Sequence, residues 1–395
     1  MPRALLLLPT ATYRAAGFLA AARQLGVEVV VASEEPPALT STMGDRAVVV
    51  PLDDPDRAAQ VIEGLDARTP LDAVIAVDYQ GVVVAARAGE QLGFPHNPPA
   101  AVVRTRDKAA LRDALAAAEV PQPRYAVITD PEALPDVGWP RVVKPTGRSG
   151  SQGVIRADDP AAAVAAARRA AEIAGGGPLI VEEYVPGAEV AVEGLLRSDH
   201  LDVLAVFDKP DTPEGPYFEE TLYVTPSRLP DEVLARVERV TADAAQALGL
   251  TEGPIHAELR VHKGRVWVLE VAARSIGGLC ARTLRLGAGI SLEEVILRHA
   301  LALPLRDLTR ESQASGVMML PIARSGTLVE VRGQDEARAV PGVVGLEITI
   351  PRGRPIRALP EGDRYLGFLF ARAATPAAVE HALRGAHRLL DVDIV

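Results

Sequence analysis

Between residues 2 and 105 the chain alternates short apolar runs with amphipathic stretches, and this alternation constrains the fold most. RALLLLP is followed by GFLAAARQLG and then by VEVVVAS; further on, LDAVIAVD precedes GVVVAARAGEQLG. Strand-length apolar runs separated by segments of helical period specify βαβ units. Such units make the strands parallel, and a parallel sheet is covered by helices on both faces. The first turn, PTATYRAAG, lacks the G-x-G-x-x-G spacing of a dinucleotide loop, which points to a structural or small-substrate domain. The opening run ALLLL is shorter than a secretory h-region and runs straight into a helix pattern, so it reads as a buried strand.

At 395 residues the chain is too long for one hydrophobic core. Its 48% hydrophobic and 24% charged residues describe a globular protein. The single cysteine, Cys280, excludes an internal disulfide and a multi-cysteine zinc site, and fits a reducing cytoplasm. A net charge of −10 with 4% aromatics and no basic stripe argues against a nucleic-acid partner. No apolar run approaches the ~20 residues that span a bilayer, so no membrane partner is expected.

The expected architecture is α/β and α+β multidomain. An N-terminal parallel α/β domain covers 1–105 and ends at the proline cluster PHNPPAAVVRTR. Residues 106–187 form a small α+β lid with a connecting helix, DKAALRDALAAAEV, capped by Asp107 and stopped by PQP. Residues 188–304 hold further strands and a helix over 233–248. A β-rich segment, 305–395, ends in a helix with Thr375 as N-cap and Pro376 at its first position. The Pro/Gly content of DKPDTPEGP, 208–216, predicts a mobile loop.

Two stretches carry chemistry. RVVKPTGRSGSQGV, 141–154, places Lys144 on a strand that runs into a glycine- and serine-rich turn. Successive backbone N–H groups in such a turn can cradle phosphate oxygens, with the ammonium as a nearby point charge. The lysine precedes the glycines, unlike a P-loop, and a plain hairpin turn has the same composition. The second stretch is PIHAELRVHKGRVWVLEVAARSIGG, 254–278, two alternating strands around HKGR. A three-residue loop centred on Gly264 sets Glu258 opposite Glu270, and paired like charges call for a cation between them. A two-residue turn would instead shift the register and send the two acids to opposite faces. Arg274 follows Glu270 by four residues, where a guanidinium can stabilise charge developing on a phosphate. Cys280 has no His or Cys beside it and reads as a packed thiol.

Asp107-Lys108, Lys144 ahead of its glycines, VEEYVPGAEV, and the acidic pair with Arg274 occur in an order and spacing that resembles the ATP-grasp superfamily over residues 1 to about 300. The resemblance implies ATP and Mg2+ as cofactors. It implies that Lys108 and Lys144 contact nucleotide phosphates under a lid loop that includes Ser149, Gly150, Ser151 and Gly153. Glu182, Glu183, Tyr184 and Val185 would form the hinge at the adenine edge, with Glu189 on the ribose. Glu258 and Glu270 would hold Mg2+, and Arg274 would stabilise the acyl-phosphate and the tetrahedral intermediate. Ala272 stands where many members carry Asn, which leaves one or two Mg2+ open.

HAELR, EVAARSIGG, YFEETLYVTPSRLP and the tail YLGFLFARAATPAAVEHALRGAHRLL resemble the L-amino-acid ligase group, extending the likeness to nearly the whole chain. This implies an ATP-dependent ligase joining two amino acids, or an amino acid and a small amine, with release of ADP and phosphate. Glu220 would hold a substrate ammonium. Tyr223 stands where these ligases often place histidine, while His256, Gly277 and Gly278 complete the expected substrate contacts. As a lone histidine, His256 also reads as a packed structural residue. Homodimers are common in this group. The alternatives are an ATP-grasp carboxylase or purine-type ligase, and a non-catalytic ATP-binding protein.

Overall fold

The computed structural model describes residues 1–10, 12–36, 43–211, 214–305 and 307–395. Its first unit is the expected alternation: β1 (Arg3–Leu7), α1 (Ala15–Leu25), β2 (Glu28–Ser33), β3 (Ala47–Val49), α2 (Pro55–Asp66), β4 (Ala73–Ala76) and α3 (Val82–Leu92). The strands pair in parallel in the order β3-β2-β1-β4. Leu5 and Leu7 pack with Ile62 and Val84, whereas Ala4 and Leu6 pack with Phe18 on the opposite face. Both faces are therefore buried, and the ALLLL run lies in the centre of the sheet.

Two short helices, α4 (Pro99–Arg106) and α5 (Lys108–Ala117), lead into the lid. Asp107 caps α5 by accepting from the Ala110 N–H. The lid sheet is antiparallel, β5 (Tyr125–Ile128), β8 (Leu179–Glu183), β6 (Arg141–Pro145) and β7 (Ile155–Ala157) in spatial order. Helix α6 (Pro160–Ala174) packs on it through Ala163, Ala166, Ala167 and Ala170, small residues that let the helix approach closely.

The largest sheet has eight strands in the order β13-β12-β9-β10-β11-β14-β18-β16. These are β9 (Ala188–Arg197), β10 (His200–Lys209), β11 (Leu222–Thr225), β12 (Gly253–His262), β13 (Arg265–Ala272), β14 (Ala314–Leu320), β16 (Val343–Ile348) and β18 (Gly367–Ala373). Helix α7 (Asp231–Leu248) covers part of one face and starts two residues earlier than expected, directly after Pro230. Helix α8 (Leu292–Ala300) packs against α1.

The 305–395 segment does not form its own main sheet: β14, β18 and β16 extend the eight-stranded sheet beyond β11. The reason is β11, buried along its whole length, whose second edge needs backbone partners and finds them in β14. The rest of the segment is α9 (Gln334–Arg338), α10 (Pro376–His387) and a small sheet of β17 (Pro355–Ile356), β15 (Gly326–Arg332) and β19 (Asp391–Ile394). Thr375 caps α10 as expected. In the 208–216 loop, Asp208 and Lys209 belong to β10, and residues 212 and 213 lie outside the described residues. Among the described residues no helix is long and apolar enough to cross a membrane.

The β12–β13 hairpin differs from the expected one in a way that matters. His262 pairs with Arg265, so the turn is the two residues Lys263 and Gly264, both at positive φ (49° and 73°). That turn alone would place Glu258 and Glu270 on opposite faces. A β-bulge intervenes: Leu259 faces Val268, Glu258 faces Glu270, and Leu269 is the extra residue. Val266, Val268 and Val271 consequently all reach one core, while Leu269 and Glu270 both line the opposite side.

Candidate active site

A cavity of about 730 Å3 lies between the lid sheet and the β9–β12–β13 part of the large sheet. Side chains on the cavity side of that sheet form cross-strand rows. Lys209, Glu189 and Arg260 are paired neighbours on β10, β9 and β12; Glu258 and Glu270 stand one pleat further; His256 and Glu193 pair in the next row. The period-2 pleat puts all of them on one face.

On the lid side, Lys144 Nζ lies 2.6 Å from Glu182, whose other oxygen accepts from Arg112 Nε at 2.8 Å. Burial would raise the Glu182 carboxyl, but the two cations override it and hold it at about 2. Burial depresses the Lys144 ammonium in spite of this partner. Arg112 also donates to the Val268 and Leu269 carbonyls at 3.1 and 2.8 Å. One buried guanidinium thus holds the bulge that aims Glu270 and fixes the acid that holds Lys144. Lys108 Nζ donates to the Arg148 carbonyl at 2.5 Å, drawing the start of α5 to the lid loop.

The 182–185 segment lines the same cavity. Glu183 accepts from Arg124, the Val185 carbonyl accepts from Arg260, and Tyr184 is flanked by the guanidinium groups of Arg156 and Arg260 at 4.3 and 5.0 Å. The Tyr184 hydroxyl is buried with no hydrogen-bond partner among the described residues. Glu182 is thus an internal counter-ion, its carboxylate engaged by Lys144 and Arg112.

At the far end, Lys209 bonds Glu189 and lies 2.7 Å from Glu220 and 3.6 Å from Glu258. Glu220, which burial would raise, is held at about 2 chiefly by Lys209. Burial and the Glu220 charge push Glu258 up. His256 lies 3.2 Å from Glu193 and 3.7 Å from Glu258. Burial opposes its charge, yet these two carboxylates raise it to about 9.

Glu189, Glu220 and Glu258 bring carboxylate oxygens within 4.8 Å of one another, but the Lys209 ammonium already sits among them. The donor set that better fits a divalent cation is Glu258 with Glu270. Glu270 has no hydrogen bond or ion pair among the described residues, and a like charge faces it across the strands. Mg2+ suits such a pair, since it takes few protein ligands and keeps its waters.

Of the residues expected at the site, Lys108, Lys144, Ser149, Gly150, Ser151, Glu182, Glu183, Tyr184, Val185, Glu189, Glu220, Glu258 and Glu270 line this one cavity. Others do not. Gly153 is turned away, its N–H bonded to the Pro360 carbonyl and its Cα against Pro145. Tyr223 is buried in the core beneath the site, with Phe207 beside it and Lys209 over its ring. Gly278 packs against Phe368, and Gly277 lies against Arg274. Arg274 departs most from expectation: it follows the end of β13, donates to the Ser275 carbonyl, and lines a second cavity of about 650 Å3 beside β4 and α8. Its Nε is buried without a hydrogen-bond partner among the described residues. Sequence reasoning missed Arg112, Glu193, Lys209 and Arg260. Arg260 stands two residues from Glu258, a spacing that signals the same strand face; Arg112 shares the buried side of α5 with Leu111 and Leu115.

Family models match three parts of the chain: an ATP-grasp N-terminal domain over residues 19–96, an ATP-grasp domain over 137–283, and L-amino acid ligase C-terminal domain 2 over 318–395. The formate-dependent phosphoribosylglycinamide formyltransferase of Synechococcus sp. (strain RCC307) is 30% identical over 360 residues, 86% of each chain. The chain belongs to the ATP-grasp family of carboxylate–amine ligases. Within that family it resembles the L-amino acid ligases: the crystal structure of the Bacillus licheniformis L-amino acid ligase superposes with a TM-score of 0.82 at 24% identity, covering 100% of this chain and 99% of that one. The alanine–anticapsin ligase of Bacillus subtilis (strain 168) is 26% identical over 253 residues, 57% of this chain and 53% of that ligase, so the match spans about half its length.

Proposed function

We propose that the chain is an ADP-forming amino-acid ligase, joining two amino acids, or an amino acid and a small amine, through an acyl-phosphate. The observation that carries this reading is the polarity of one cavity. Phosphate-gripping cations, Lys108 and Lys144, stand under the glycine loop, and the Glu258/Glu270 pair faces them.

A carboxylate resists attack by an amine because resonance and negative charge make its carbon a poor electrophile. An oxygen of the donor carboxylate attacks the γ-phosphorus of ATP and ADP leaves, giving an acyl-phosphate. Lys144 and Lys108 neutralise the phosphates, a task of positioning and electrostatics. Glu258 and Glu270 would hold Mg2+, which supplies further charge neutralisation on the phosphate oxygens. The acceptor nitrogen then attacks the acyl carbon, phosphate departs with the bonding pair, and the phosphate takes the proton that nitrogen loses. Glu193 and Glu258 hold His256 as a cation behind the Glu258 carboxylate. The lid limits access of water, which would otherwise hydrolyse the intermediate.

The lid is already tied down. Gly153 and Gln152 donate to the Pro360 and Glu361 carbonyls at 3.0 and 3.1 Å, and Arg169 pairs with Glu361. A second reading, a purine-type ligase acting on a phosphoribosylglycinamide-like substrate, is favoured by the relative that is 30% identical over 86% of both chains. The C-terminal domain match and the end-to-end superposition on an L-amino acid ligase support the first reading.

A matrix of amino-acid pairs with ATP, read by ADP formation and product mass, separates the two. Dipeptide with ADP is the expected result. AMP in place of ADP would remove the acyl-phosphate step, and turnover only with formate and a glycinamide ribonucleotide would replace the reading.

A further inference from the structure

Four carboxylates, those of Glu189, Glu220, Glu258 and Glu270, line the cavity on the side of the large sheet. Lys209 stands among three of them: it bonds Glu189 and lies 2.7 Å from Glu220 and 3.6 Å from Glu258. Its side chain is 3% exposed and is not part of the cavity wall, so the ammonium sits behind these acids. Arg260 donates to the other oxygen of Glu189 at 2.9 Å. Two fixed cations therefore balance Glu189 and Glu220, while His256 and Glu193, 3.2 Å apart, balance each other. The charge left over is that of Glu258 and Glu270, the amount that one divalent ion neutralises. Ala272 continues the face of Glu270 one pleat further and offers a methyl group in place of a donor atom.

We propose that Lys209 is a built-in cation that takes the place of a second metal ion, so that the site accepts a single Mg2+, on Glu258 and Glu270. The inference rests on the cation assignment within the ligase reading and adds to it the number of ions. Among the described residues, Glu189, Glu220 and Glu258 are the one group of three whose oxygens come within 4.8 Å of one another, and the ammonium holds the space they enclose. An ammonium and a divalent ion do not share such a space, because like charges at contact distance repel strongly where burial weakens screening by water. The covalently attached charge is present before any ligand binds. It holds Glu220 and Glu258 in place, whereas Mg2+ gives up its waters reluctantly. Lys209 acts through these acids and is a positioning residue.

The test counts ions without turnover. Full-length protein, freed of metal, is saturated with a non-hydrolysable ATP analogue and titrated with Mn2+, and bound ions are counted by electron paramagnetic resonance. The expected wild-type result is one Mn2+ per chain with the spectrum of an isolated ion. Lys209→Met should take two, and the pair, sharing Glu258 as a ligand, should show exchange coupling. Lys209→Gln, which keeps a hydrogen-bonding group among the acids, is the second variant, and circular dichroism checks the fold of both. Two coupled Mn2+ in wild type, or a single ion in a folded Lys209 variant, overturn the inference and leave the ligase reading intact. A wild-type chain that binds the nucleotide analogue but no Mn2+ overturns the Glu258/Glu270 assignment as well.

Discussion

Glu258 and Glu270 face each other across β12 and β13 because Leu269 is one residue too many for the ladder. The bulge reverses the strand's parity just before the second carboxylate, and Arg112 donates to the Val268 and Leu269 carbonyls there. Bulges commonly re-aim side chains next to active sites.

Glu270→Gln removes half of the proposed cation site while keeping its shape. Losing an outer-sphere partner of a metal typically costs 10–100-fold, so losing a direct ligand should lower ATP turnover by about a hundredfold or more. Thermal stability should hold or rise, because a like-charge pair is relieved. Wild-type turnover in this variant would refute the assignment, and calorimetric titration with Mg2+ provides a second readout.

Arg112→Met strips the counter-ion from buried Glu182 and the donor from the bulge carbonyls. Breaking a buried pair from one side typically costs about 3–5 kcal/mol. Urea denaturation should show a loss of this order, and a change below about 1 kcal/mol would show that the bulge does not depend on Arg112.

Glu182 sets an acid limit. Its carboxyl is held at about 2 in the folded protein, below its ordinary value. A depressed carboxyl stabilises the fold above its unfolded pKa, so this contribution is complete above about pH 4.5 and is lost as pH falls toward 2. Glu220, also at about 2, acts in the same window. Denaturant melts of Glu182→Gln between pH 5 and 3 should show a lower and flatter stability profile than wild type.

His256 behaves oppositely. Its folded pKa, about 9, lies above the unfolded value of about 6.5. Its contribution is therefore complete below about pH 6.5 and is lost as pH rises through 9. Imidazole NMR of the metal-free protein should find His256 still protonated at pH 8. In Glu193→Gln the midpoint should move down; an unmoved midpoint would mean that Glu193 does not hold the charge.

The Arg169–Glu361 contact tests the lid. An exposed ion pair contributes little net stability, so Glu361→Ala should leave the melting temperature nearly unchanged. Its effect should appear in coupling: more phosphate released per product formed, because a looser lid admits water to the acyl-phosphate. An unaltered ratio would argue against this contact as a closure.

Much was legible in order and spacing. The parallel N-terminal sheet followed from the alternation around ALLLL, the Asp107 and Thr375 caps from local chemistry, and the cavity-lining Lys144, Glu182 to Val185, Glu189, Glu258 and Glu270 from the family resemblance. Periodicity and capping act within a few residues, so sequence alone carries them. Tertiary structure decided what depends on distant partners. The bulge at Leu269 is held by a guanidinium 157 residues away, and Lys209 finds Glu189 and Glu220 only once β9 and β10 are side by side. The merging of β14, β16 and β18 into the large sheet depends on which edge β11 leaves open. The chain's turn after β13 sets Arg274 on the wall of the second cavity beside β4 and α8, and a residue's position in a motif does not fix the direction of its side chain.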